Sequence, residues 1–157
     1  MKTINVVQAI IGKYKEKLET NHKKLSELRE DFKSREFSDV VREHEDLLNE
    51  GILNSEVITQ LKCAVHMYDS CGLSLLKTTI ENTKETFKLL LTRTENEIAE
   101  HNSTIATIQE QGLLTDTLSM QYSSHFFHLV KRKSRLDYII QQFNVLVDYA
   151  QKEEQKK

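Results

Sequence analysis

The chain has 157 residues, no proline, four glycines, 29% charged residues of both signs and a formal net charge of −2. A hydrophobic content of 38% suits one domain with a narrow core, and the balanced charge excludes the long-range field that draws proteins onto nucleic acid or acidic lipid. Scarce proline and glycine disfavour folds rich in tight turns, so an all-α domain spanning 1–157 is expected.

A first helix is predicted over about 3–36, where Ile4, Val7, Ile11, Tyr14, Leu18, Asn21, Leu25, Leu28 and Phe32 alternate steps of three and four. Asn21 is the polar member of that seam, the kind of residue that fixes register. A short acidic helix over about 39–50 follows, with Gly51 expected to break it. The next helix, about 55–71, would be capped by Asn54 or Ser55, stapled by Leu53 and Ile58, and stopped or kinked by Gly72.

A long helix over about 74–111 carries Leu76, Ile80, Phe87, Leu91, Ile98 and Ile105 and ends at Gly112 as the C′ glycine. The last helix, about 116–153, begins at Asp116 as cap and carries Tyr122, Phe126, Leu129, Leu136, Ile140, Phe143 and Val147. Folding these two arms back about a turn at 113–114 sets Tyr122 opposite Ile105, Leu129 opposite Ile98, Ile140 opposite Phe87 and Val147 opposite Ile80. The polar interruptions Lys133 and Thr94 meet in one layer, and His101 meets Phe126. Agreement of two independent seams points to a coiled-coil hairpin with arms of roughly 38 residues, or ~57 Å. With the first helix and the broken second one, an antiparallel up-down-up-down bundle follows, a three-helix spectrin-like arrangement being the alternative.

The basic run Lys131, Arg132, Lys133 and Arg135, behind His125, Phe126, Phe127 and His128, has the composition of a nucleic-acid patch. In the hairpin register it also lies beside Glu95, Glu97 and Glu100, and interhelical charge pairing explains both runs together. A di-metal carboxylate bundle needs two Glu-x-x-His pairs, and Glu19 with His22 supplies one. Cys63, His66 and Asp69 drift around a helix and make no nucleophilic dyad. The glycine-rich loops that bind phosphates and oxyanions are missing from the sequence.

These features predict no enzyme, no metal or other cofactor, and no evident small-molecule substrate. Cys63 and Cys71 fit neither a disulfide framework nor a CxxC site. No stretch approaches the ~18 apolar residues of a membrane span, and Asn5 and Gln8 interrupt the N-terminal apolar run, so a cytoplasmic location is expected. The favoured function is a noncatalytic interaction module that presents helix faces to a protein partner or to itself as a dimer. Tyr138, Ile139, Leu146 and Tyr149, outside the two-helix seam, are the expected contact residues. Nucleic-acid binding through residues 131–135 is the alternative, and a metal-carboxylate bundle the third reading.

Overall fold

A computed structural model describes residues 1–156 and is all-helical. Four helices follow one another: α1 (Thr3–Asp31), α2 (Phe37–Cys71), α3 (Leu73–Glu110) and α4 (Asp116–Gln155). Neighbours in sequence pack antiparallel, and α4 returns to α1 and α2 to form a four-helix bundle.

The connections follow from local chemistry. Gly72 alone joins α2 to α3, and its φ of 83° is a left-handed conformation that a side chain would disfavour. The end of α3 is a Schellman motif, in which Gly112 (φ 68°) donates its N–H to the Gln109 carbonyl at 3.0 Å and Leu113 donates to Ile108 at 3.1 Å. Helix α4 is capped by Thr115, whose hydroxyl accepts the Leu118 N–H at 3.2 Å. The expected cap, Asp116, lies inside the first turn, where its charge complements the helix dipole.

Two boundaries differ from the sequence reading. The first helix ends at Asp31, and a turn closed by Ser34 and Arg35 N–H groups on the Asp31 carbonyl leads into α2 at Phe37. More important, Gly51 does not break the second helix, because α2 runs uninterrupted for 35 residues. Gly51 lies under α1, where a methyl group would meet Leu18 Cδ1 at 3.8 Å and Asn21 Nδ2 at 3.9 Å. Packing against α1 supplies more than the roughly 1 kcal/mol by which glycine disfavours a helix interior. Asn54, read as a possible cap, is instead a buried residue within α2.

The core is divided in two. At the base, where the chain termini and Gly72 meet, Val7, Tyr14, Leu61, Leu76, Leu136 and Phe143 belong to one continuous apolar cluster drawn from all four helices. Full burial of each such side chain is worth about 1.5–3 kcal/mol. Toward the tip, formed by the two interhelical turns, a smaller cluster of Leu28, Val40 and Leu47 with Leu25 belongs to α1 and α2 alone. Between the clusters the buried positions include Asn21, Asn54 and Thr94. From Glu95 to His128 every residue is half-buried or exposed, so the far end of the α3–α4 hairpin is only partly covered.

Candidate interaction surfaces

Of the four contact residues expected at the base, Ile139 is 2% exposed and Leu146 0%. Both are core residues, which corrects their assignment to an outer surface. The N-terminal half of α1 accounts for this: Ile4, Val7, Ile10 and Ile11 join the same cluster. A fourth helix needs a wider apolar stripe than a two-helix seam does. Tyr138 and Tyr149 do face solvent. The Lys17 ammonium lies 4.4 Å from the Tyr138 ring centre, and the Tyr138 hydroxyl accepts from Gln142 Nε2 at 2.9 Å.

Larger exposed apolar groups lie at the tip. Phe37 is 70% exposed and Met120 62%, and they line opposite walls of a groove of about 470 Å³ between the first turns of α2 and α4. Phe32 packs its ring 6.0 Å from that of Phe37, and Leu113 is exposed in the α3–α4 turn. The sequence did carry a sign of this surface at Phe37 and Leu113, which flank or occupy turns, whereas Phe32, read as the last seam position of the first helix, lies just beyond the end of α1 and is exposed.

The basic run is largely committed inside the molecule. Arg132 donates from Nε to the Thr94 hydroxyl at 2.8 Å and from Nη2 to Glu97 at 2.9 Å. It is therefore Arg132, not Lys133, that satisfies the buried Thr94, one position away from the expected register; Lys133 is half-buried. Arg135 turns to α2, where it pairs with Asp46 at 2.8 Å and Glu50 at 3.2 Å. Lys131 places its ammonium 5.5 Å from the Phe127 ring centre. Charge pairing thus joins α4 to α2 as well as to α3. The acids of α2, in the stretch REHEDLLNE from Arg42 to Glu50, were visible in the sequence, but a hairpin register alone gives no placement for a third helix.

Aromatic and imidazole rings fill the far part of the hairpin. His101 stacks on Phe126 with centroids 5.2 Å apart and lies 5.5 Å from Tyr122 and 5.8 Å from His125. Burial, with His125 nearby, holds the His101 pKa below the usual histidine value. His128 meets Glu45 of α2 at 3.0 Å.

Below that contact, Leu53, Leu90 and Leu129 line a second cleft of about 430 Å³ between α2, α3 and α4, with Arg132, His125 and His128 among its polar residues. Among the described residues no three His, Cys, Asp or Glu side chains converge as metal donors, and no helix is long and apolar enough to cross a membrane. Cys63, His66 and Asp69 are exposed along α2.

The geometry defines an all-α four-helix bundle with Phe32, Phe37, Leu113 and Met120 exposed at its tip and other exposed apolar residues, such as Ile52 and Leu89, along its sides. No protein-family model matches the chain, and no curated protein or solved structure matches it either.

Proposed function

We propose that this protein is a noncatalytic helical interaction module whose tip is its contact surface, joining either a second copy of itself or a partner protein. The observation that carries this reading is the exposure of Phe37 and Met120 on either side of the groove between α2 and α4. Large apolar side chains gathered around a concave surface favour protein contact, because covering them removes apolar area from water. Tyr138 and Tyr149, exposed at separate places along α4, are smaller secondary contact candidates. Nucleic-acid binding is less well supported, since Arg132 and Arg135 already neutralise acids of the same chain.

Light scattering across a concentration range tests the self-association form of the proposal. It predicts a dimer that Phe37→Ser and Met120→Ser convert to monomer while Tyr149→Ser does not. A mass that stays monomeric at every concentration would contradict self-association. Co-purified nucleic acid released steeply by salt would favour the alternative.

A further inference from the structure

We infer that the tip half of the α1–α2 hairpin is a movable arm, held shut on α4 by a charged latch and hinged where Gly51 interrupts the side chains of α2. The latch is a stripe on α2 facing a stripe on α4. Arg42 places its guanidinium 5.2 Å from the Phe127 ring centre. Three residues on, Glu45 meets His128 at 3.0 Å. Asp46 and Glu50 then clasp Arg135 at 2.8 and 3.2 Å. On α2 these positions recur at steps of three and four, and on α4 His128 and Arg135 lie seven residues apart, so one face of each is involved.

What lies around the latch makes it separable from the rest. Grooves of about 470 and 430 Å³ flank it along the α2–α4 line. Apolar packing there is correspondingly thin, and charge carries the closure. Beyond the latch, Leu25, Leu28, Val40 and Leu47 pack as their own cluster within α1 and α2, so the arm keeps its internal core when it swings.

On the base side, Asn21 and Asn54 are buried, and the Nδ2 of each lacks a hydrogen-bond partner among the described residues. These two amides gain solvation on opening, while Leu18 and Leu53 at the same level stay packed on the base cluster. Gly51 stands at this level, in the helix interior, with ordinary contact distance to spare. Partly exposed ion pairs weaken as salt rises, whereas the apolar base does not. Release of the latch therefore swings the arm out and parts Asn49 from His125 and His128 at the tip side of the cleft over Leu53, Leu90 and Leu129.

The test is the distance between spin labels placed on the exposed Ser38 of α2 and Ser123 of α4 in the full chain, with Cys63 and Cys71 replaced by serine. A second label pair at the exposed Ser70 and Lys152 reports the base. We expect one narrow tip distance in low salt. Arg135→Glu should shift it to longer, broader values, and adding Asp46→Arg to that variant should restore the narrow one. The base distance should stay unchanged throughout, and Gly51→Ala in the Arg135→Glu background should reduce the open population. An unchanged tip distance in Arg135→Glu overturns the latch. Broadening of the base distance together with the tip overturns the independent arm, since the whole bundle would then have loosened.

Discussion

The base and the tip of this bundle are built from the same four helices but held by different forces. At the base, side chains from every helix interlock in a common apolar cluster, with Leu61, Leu76, Leu136 and Leu146 at 0% exposure. At the tip, the α1–α2 hairpin buries a few apolar residues of its own, the α3–α4 hairpin leaves its residues half-buried or exposed, and the two meet through Arg42, Glu45, Asp46, Glu50, Phe127, His128 and Arg135. The lesson is that a helical bundle need not be uniformly cooperative: apolar burial is non-directional and strong, while partly exposed ion pairs orient helices at a modest net gain. A base joined by apolar packing and a partly apolar end joined by ion pairs fit the proposed interaction module.

Truncating the core should separate the two regions most sharply. Leu61→Ala or Leu146→Ala is expected to cost about 3–5 kcal/mol in urea unfolding followed by circular dichroism, against about 2 kcal/mol for Leu47→Ala at the tip, where solvent is nearer and the site collapses more easily. Equal losses at both ends would erase the distinction.

Arg135→Gln should come next, at about 1–3 kcal/mol, because it leaves Asp46 and Glu50 facing each other without their cation. Its signature is local: faster amide exchange in residues 37–50, with exchange in residues 57–64 unchanged.

A smaller effect concerns acid. The His101 pKa is lowered in the folded state, so the unfolded chain takes up the proton first and protonation favours unfolding. The contribution of the neutral ring is complete above the unfolded-state value of about 6.5. It is lost as pH falls through that value toward the lower folded-state one. Stability measured between pH 7.5 and 5 should decline on acidification, and His101→Gln should flatten that decline; an identical slope in the variant would remove His101 as the cause.

The smallest expected change is a gain. Gly51→Ala should stabilise the bundle by about 0.5–1 kcal/mol, since the added methyl meets Leu18 and Asn21 at ordinary contact distances and the helix gains a better former. A loss would mean that α1 lies closer to α2 than the structure shows.

Much of this was legible in the residues. The heptad steps of α1 and the glycine ends at Gly72 and Gly112 follow from short-range pattern, because helical periodicity and left-handed caps are local properties, and the meeting of His101 with Phe126 follows from the register of one hairpin. Gly51 misled for the complementary reason: as a helix stop it is a weak local signal, and packing against Leu18 and Asn21 overrides it. The contact residues were harder still. Whether Ile139 and Leu146 face solvent depends on where α1 lies, and whether Arg135 is available depends on the acids of α2. Both are third-helix questions that a pairwise register leaves open.

Native-state hydrogen exchange, resolved by residue and repeated at low and at about 1 M salt, tests the two-region account most directly. It predicts that amides of α2 before Gly51 exchange through an opening of lower free energy than those around Leu61, with the gap widening in high salt. Uniform protection along α2, unchanged by salt, would show a single cooperative bundle and contradict the division between base and tip.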